Sequence, residues 1–267
     1  MKYLLVIVLS IVLSLFLMGQ GSPPKSPLVE TYIKFLADQT LDSTLQSKVA
    51  SISLADLKRA ARLCYEATED DPTALRQQIQ KKHHSWDSVY AKQKSAIGLG
   101  WKTGAVEIMY LHQIDTILSH RIYALVRAPN CLRLVISSMK AIRVPIGGIN
   151  RTYQRTVIDA TVLEVFKGSK RFSPGGPVEF YFNKGWIHNP NYFHLGDTCL
   201  VLLDPRTSQD GKFWLAVFAS LDDANGYYEI KGNVLYDKFN TFGYGNEIPW
   251  DVFKGKLLTE INTIKSW

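Results

Sequence analysis

The sequence predicts an α+β protein: a helical N-terminal region, then a small five- or six-stranded β-barrel, then a C-terminal helix packed on the barrel. Three observations support this fold class. Apolar residues recur at three- and four-residue intervals over roughly the first half of the chain, alternate with polar residues from Cys131 onward, and return to helical spacing after Pro249. The predicted signal peptide, helical region, barrel and terminal helix occupy residues 1–21, 22–127, 128–240 and 241–267.

The composition is that of a globular protein. Of the 267 residues, 46% are hydrophobic and 21% are charged, so extended disorder is not expected. The formal net charge of +7 favours anionic partners only weakly, because the basic residues form no single stripe of the kind that follows a phosphate backbone. Nucleic acid is therefore not a predicted partner.

The N-terminus has the pattern of a secretory signal peptide. Met1-Lys2 gives a positive start, Tyr3 to Met18 is almost entirely apolar, and Gly19-Gln20-Gly21 supplies small residues for cleavage. The apolar run is shorter than the roughly 30 Å hydrocarbon core of a bilayer requires. We therefore predict an exported protein, periplasmic or extracellular, with no permanent membrane span after cleavage. A retained N-terminal anchor is the alternative.

Two capping signals mark helix starts in the N-terminal region. Ser53 is followed three residues later by Asp56, and Asp71 is followed directly by Pro72. Apolar spacing predicts three or four helices, over residues 28–37, 54–64, 72–97 and 108–125. The last of these is predicted as one continuous helix that stops before Pro129.

The first strands of the predicted barrel follow from the alternation of apolar and polar residues and from the places where this alternation is interrupted. The alternation that begins at Cys131 slips at Ser137-Ser138, which indicates one long strand with a bulge. Thr198 to Leu203 is almost continuously apolar, as expected of a strand buried on both faces. The other predicted strands cover residues 156–166, 178–182, 213–218 and 227–235.

Residues 178–182 alternate clearly between the two faces of the predicted strand. Val178, Phe180 and Phe182 should face the core, and Glu179 and Tyr181 the opposite side.

A C-terminal helix is predicted to begin at Pro249. Its apolar residues fall on one face, at Phe253, Leu257, Ile261 and Ile264. Gly255 lowers the intrinsic helix stability by about 1 kcal/mol relative to alanine. Packing on the rest of the protein is therefore expected to hold this helix in place.

Three motifs in the middle of the chain resemble those of a known family. They read A-x-V-L-E-V-F-K-G at Ala160–Gly168, G-x-x-V-E-F at Gly175–Phe180 and F-x-x-G-D-x-x-L-V-L-L at Phe193–Leu203. The region from Cys131 to Tyr236 resembles the netrin/TIMP-like (NTR-like) OB-fold domains of secreted proteins, especially the bacterial versions without a cysteine framework. The resemblance implies an OB-like barrel and carries no catalytic residues. Metalloprotease inhibition does not transfer, because the N-terminal cysteine and the disulfides of the animal members are missing.

The three cysteines, Cys64, Cys131 and Cys199, allow at most one disulfide and leave the pairing open. Buried free thiols are expected for Cys64 in its helix and Cys199 in its strand. The scaffold must therefore be held together by its core.

No catalytic or cofactor motif is present. The chain lacks a G-x-S-x-G sequence, a phosphate-binding loop and a paired-carboxylate signature. His112 and Asp115 share a helix face and His120 lies beyond them, but the H-E-x-x-H spacing of zinc hydrolases is missing. The sequence predicts no metal and no cofactor.

The candidate ligand-binding residues are aromatic. They come from two strands and from the loop K-G-W-I-H-N-P-N-Y-F-H: Tyr181, Trp186, His188, Tyr192 and Trp214, with His194 nearby. OB barrels bind ligands through one face and its loops, and aromatic rings serve there as stacking surfaces. The alternative is that these rings cap the barrel or pack on the helices.

These features favour a non-enzymatic exported protein that binds a protein or a carbohydrate through the barrel. The alternative is an exported hydrolase with its site between the helical region and the barrel. A pocket joining Cys64 or Asp115 to a histidine would favour the hydrolase, whereas a flat aromatic patch on the barrel would favour binding.

Overall fold

The computed structural model describes residues 26–40, 52–79, 110–145, 152–183, 193–205, 213–215, 226–238 and 240–267. The predicted signal peptide and most of the helix predicted over residues 72–97 lie outside these ranges. None of the helices within them has the length and apolar character that crossing a membrane requires.

The N-terminal helices are α1 (Pro27–Thr40), α2 (Leu54–Asp70) and α3, whose described part is residues 72–79. Both predicted caps are confirmed. The Ser53 hydroxyl accepts a hydrogen bond from the backbone N–H of Asp56 at 3.1 Å, and the Asp71 carboxylate accepts one from Ala74 at 2.8 Å. Each cap satisfies a backbone donor that the first turn of a helix leaves without an intrahelical partner.

The prediction of one continuous helix over residues 108–125 is wrong. Residues 110–113 are helical, Ile114–Leu118 form a π-helical turn, and a separate helix α4 runs from His120 to Arg127. Ser119 adopts an extended backbone between them, and its hydroxyl accepts a hydrogen bond from the N–H of Ile122 at 3.3 Å. Serine is favoured as an N-cap, so the chain ends one helix and begins another here although the apolar spacing continues.

The strands form one sheet of eight among the described residues: β1 (Asn130–Pro145), β2 (Thr152–Lys167), β3 (Pro177–Asn183), β4 (Thr198–Pro205), β5 (Phe213–Leu215), β6 (Tyr227–Lys231), β7 (Val234–Tyr236) and β8 (Glu247–Pro249). Their order is β1-β2-β3-β5-β4-β6-β7-β8, and β1 also pairs with β4. The β3–β5 pair is parallel and the other pairs are antiparallel.

The predicted bulge in β1 is confirmed. The register between β1 and β2 shifts between Ile136 and Ser138, where the alternation of the sequence slips, and at two further places nearer Cys131. Leu132, Leu134 and Ile136, which precede the slip, are buried, whereas Met139 beyond it is 39% exposed.

The single strand predicted over residues 227–235 is wrong: the chain forms a hairpin of β6 and β7. Gly232 and Asn233 make the turn with φ of 54° and 66°. Two consecutive residues with positive φ are typical of the tight turn that joins twisted antiparallel strands. The short strand β8, which pairs with β7, was not predicted.

Two apolar clusters lie on opposite sides of β4. Cys199, Val201 and Leu203 point into a cluster formed between strands, while Leu200 and Leu202 point into a cluster shared with the helices. The prediction that this strand is buried on both faces is therefore confirmed, since all five side chains are fully buried.

The C-terminal helix α5 (Trp250–Ser266) packs on α2 and on the β7–β8 hairpin. The predicted apolar face is confirmed, because Phe253, Leu257, Ile261 and Ile264 are all buried in the cluster shared with the helices. The protein is thus an α+β protein, and its helices share one apolar cluster with one side of the sheet.

Candidate functional site

Only two of the five predicted ligand-binding residues lie within the described ranges. Trp186, His188 and Tyr192 lie outside them. Tyr181 is in β3 and Trp214 in β5, and the parallel pairing of these strands makes the two residues register partners. The Tyr181 side chain is only 3% exposed and packs beside Val157. A direct contact of this ring with a ligand stays a prediction.

Two carboxylates face each other across β2 and β3 next to Tyr181. Asp159 and Glu179 are register partners, and both are exposed. Like charges directly opposite each other on neighbouring strands are destabilising. Because residues on a strand alternate between its two faces, this pair lies on the side of the sheet opposite the buried Phe180.

Hydroxyl groups hold these two carboxylates. Ser138 Oγ donates to Asp159 Oδ2 at 2.6 Å, and the Tyr181 hydroxyl donates to Glu179 Oε1. The guanidinium of Arg155 lies 5.8 Å from the centre of the Tyr181 ring. We call this set of five residues the outer face of β1–β3; it combines two negative groups, a ring and a cation within three neighbouring strands.

The contact between helices and sheet contains a buried cation. Lys167, the last residue of β2, is fully buried, and its Nζ donates to Thr68 Oγ1 at 2.9 Å and to the carbonyls of Leu125 and Val126 at 2.8 and 3.2 Å. The Tyr65 ring lies 4.0 Å from the same nitrogen. Burial lowers the pKa of Lys167 to about 7. The three acceptors use all three protons of the ammonium group, so this lysine fixes the end of α4 onto the sheet.

A second cation from the same turn binds the end of α2. Arg171 donates to the carbonyl of Glu69 at 2.8 Å, to that of Pro129 at 3.0 Å and to Asn130 Oδ1 at 2.8 Å. Gly168 has φ +98°, and a Cβ there would lie 2.5 Å from the same Asn130 oxygen. The Lys-Gly pair of the K-G motif is therefore structural. We call Lys167, Gly168 and Arg171 the junction turn. The sequence feature that could have indicated it is a single lysine at the end of an apolar strand.

The cysteines are not arranged as nucleophiles. Cys64, Cys131 and Cys199 are buried, and none of these three residues forms a disulfide. Burial raises the pKa of Cys131 to about 12 and that of Cys199 well above its usual range. A thiol acts as a nucleophile only as the thiolate, which burial here disfavours.

Of the residues around Asp115, which the sequence did not favour as a metal site, two are brought together. His120 Nδ1 lies 2.8 Å from Asp115 Oδ1, whereas His112 is exposed. An aspartate beside a histidine orients the imidazole ring in many hydrolases. The pair alone performs no hydrolysis, because a nucleophile or a metal-bound water is also required.

Comparison of the chain with family models, with curated proteins and with solved structures finds no match in any of the three.

Proposed function

We propose that this protein is an exported, non-enzymatic binding protein that engages a protein or a glycan through an NTR-like OB barrel. The pairing order supports the barrel: the path from β1 through β2, β3, β5 and β4 returns to β1. A circuit of five strands is what a small closed or nearly closed barrel needs. Export is supported by the apolar N-terminal pattern of the sequence.

The observation that carries the binding proposal is the Asp159–Glu179 pair. Opposed like charges cost a few tenths of a kcal/mol to about 1 kcal/mol. Within the described ranges the hydrogen bonds to both carboxylate groups come from hydroxyls and not from cations. A ligand that brings a cationic side chain or several sugar hydroxyls would relieve this repulsion. The pair lies on strands 2 and 3, and in OB barrels that face binds ligands.

The hydrolase alternative draws on the Asp115–His120 pair, which by itself performs no hydrolysis. Side chains from α2, α4 and β4 form one continuous apolar cluster where the helices meet the sheet. Lys167 and Thr68, two polar side chains buried there, are hydrogen-bonded to each other and to backbone carbonyls. We therefore retain binding as the proposed function.

The test compares the wild type with Asp159→Asn/Glu179→Gln. The purified protein is immobilised and probed with an array of defined oligosaccharides and with the extracytoplasmic protein fraction of its own host. For any ligand found, we expect the double variant to bind at least about tenfold more weakly, because hydrogen bonds to charged groups contribute about 1.5–3 kcal/mol. Its melting temperature should be unchanged or higher, since the repulsion is removed.

The matched control is Glu247→Gln, which removes an exposed carboxylate from another strand, β8. It should bind like the wild type. Equal binding by the double variant would show that the outer face of β1–β3 is not the binding surface. Release of a cleaved oligosaccharide or peptide would instead favour the hydrolase.

A further inference from the structure

Three potential metal ligands converge where the turn before β4 meets β6. His194 and Asp197 belong to that turn, and Glu229 lies in β6, where it is the register partner of Cys199 in β4. One ligand atom from each side chain lies within 4.8 Å of the other two. The sequence predicted no metal site, because Glu229 is distant from the other two residues until β4 and β6 pair.

The two nearer groups already have the separation of ligands that share an ion. His194 Nδ1 lies 3.1 Å from Asp197 Oδ2. Nitrogen and oxygen ligands at about 2.0–2.1 Å from a tetrahedral zinc ion are roughly 3.3 Å apart. The same Asp197 oxygen accepts a hydrogen bond from the backbone N–H of His194 at 2.7 Å, so the turn itself holds the carboxylate in this position.

The backbone around the three groups is fixed on both sides. The turn is joined to β1 by two hydrogen bonds of Ile136: it donates to the Asp197 carbonyl, and its own carbonyl accepts from Gly196, each at 2.9 Å. β6 is held against β4 by its strand pairing. A site on rigid elements needs little rearrangement when an ion binds.

One group competes with an ion for Glu229. Lys231 Nζ lies 2.7 Å from Glu229 Oε1, and its side chain is 62% exposed. A long, exposed lysine can rotate into solvent, whereas Asp197 and Glu229 are mostly covered, with 18% and 22% of their side chains exposed. The His194 side chain is 60% exposed, which leaves a side open for solvent or for a further ligand.

We propose that His194, Asp197 and Glu229 bind a divalent transition-metal ion, with Zn²⁺ as the probe. One imidazole nitrogen and two carboxylate oxygens suit zinc and its first-row neighbours better than Ca²⁺ or Mg²⁺, which prefer all-oxygen sites. The ion links the turn before β4 to β6 and leaves at least one coordination position for water.

The test is calorimetric titration of the full protein with ZnSO₄ near neutral pH. His194→Ala and Glu229→Gln should each weaken binding by about tenfold or more, since even indirect partners of a metal ligand contribute 10–100-fold. Lys231→Met should strengthen binding, because the competitor for Glu229 is gone. His112→Ala removes an exposed histidine elsewhere and should leave the affinity unchanged.

Two results would overturn the proposal. One is the absence of saturable Zn²⁺ binding, or an affinity that neither His194→Ala nor Glu229→Gln changes. The other is a Glu229→Gln protein that binds Zn²⁺ as tightly as the wild type while His194→Ala weakens binding, which would remove Glu229 from the site. Melting curves without metal check that each variant is folded before the titration is interpreted.

Discussion

Lys167 illustrates how the contribution of one buried side chain to stability depends on the protonation state of that side chain. Its ammonium group has three oxygen acceptors and a tyrosine ring, but no carboxylate among its hydrogen-bond partners. Burial without a paired anion disfavours the charged form, and this lowers the pKa of Lys167 to about 7. A lysine in an unfolded chain has a pKa near 10.4.

This difference predicts how stability changes with pH. Between about pH 7 and pH 10.4 the unfolded chain binds a proton that folded Lys167 has released, so the free energy of unfolding rises with pH. Below about pH 7 both states are protonated and the contribution becomes constant. We expect the wild type to gain about 1.4 kcal/mol per pH unit relative to Lys167→Met between about pH 7.5 and 9.5.

Urea melts of both proteins at several pH values measure this difference. Comparison with the variant cancels the titration of the tyrosines and cysteines, which also change charge at high pH. Parallel curves for the two proteins would contradict the prediction. They would mean that the three acceptors keep Lys167 protonated in the folded state against the cost of burial.

At the scale of elements, substitution of two glycines in the connection between β2 and β3 tests the role of the junction turn. Gly168 and Gly175 both have positive φ, +98° and +82°. A Cβ at Gly168 would collide with Asn130, whereas a Cβ at Gly175 would have nothing within 4 Å. Gly175→Ala should therefore cost only the backbone strain, about 1–2 kcal/mol.

Gly168→Ala should cost clearly more than Gly175→Ala, by about 1 kcal/mol or more, because it also displaces the buried Asn130 from Arg171 and from the carbonyl of Leu203. Chemical denaturation of the two variants gives the comparison. Equal losses would show that Asn130 moves aside without consequence.

The elements that local sequence signals determine were predicted well. The caps at Ser53 and Asp71, the bulge near Ser137 and the doubly buried β4 each follow from a few neighbouring residues. The break at Ser119 and the hairpin at Gly232-Asn233 were missed although both carry a local signal. Apolar residues continue at helical spacing past Ser119, and this pattern predicted one helix despite the N-cap serine. The apolar residues on both sides of Gly232-Asn233 likewise predicted one strand despite the turn dipeptide.

The candidate sites depend on register, which the sequence does not contain. Asp159 and Glu179 become neighbours only when β2 pairs with β3, and Glu229 reaches His194 only through the β4–β6 pairing. Neither pairing can be derived from the spacing of the residues along the chain. Trp186, His188 and Tyr192 lie outside the described ranges, so their role as binding residues stays a prediction.

At the scale of the whole molecule, the shared apolar cluster predicts one cooperative unit. Leu57 of α2, Leu200 of β4 and Tyr228 of β6 belong to the same cluster. In urea, the loss of helical circular dichroism and the change in tryptophan fluorescence should therefore coincide. Leu57→Ala should lower the free energy of unfolding by about 2–5 kcal/mol in both signals.

Leu54→Ala is the matched control on the same helix, because Leu54 is 53% exposed and Leu57 only 1%. It should change stability by less than about 0.5 kcal/mol. Two separate transitions, with Leu57→Ala affecting only the helical one, would show that the helices and the sheet unfold independently.

The junction turn also affects the order in which the protein can become structured during synthesis. Arg171 follows the Glu69 carbonyl that it binds by 102 residues, and Lys167 follows Thr68 by 99. At about 5–20 residues per second, these partners are translated roughly 5–20 s after the end of α2. Lys167 follows Val126 near the end of α4 by 41 residues, which corresponds to roughly 2–8 s. Until then the ends of α2 and α4 lack their cations, and their apolar faces lack the strands that cover them. The nascent helical region therefore stays incompletely folded until the second half of the chain has been synthesised.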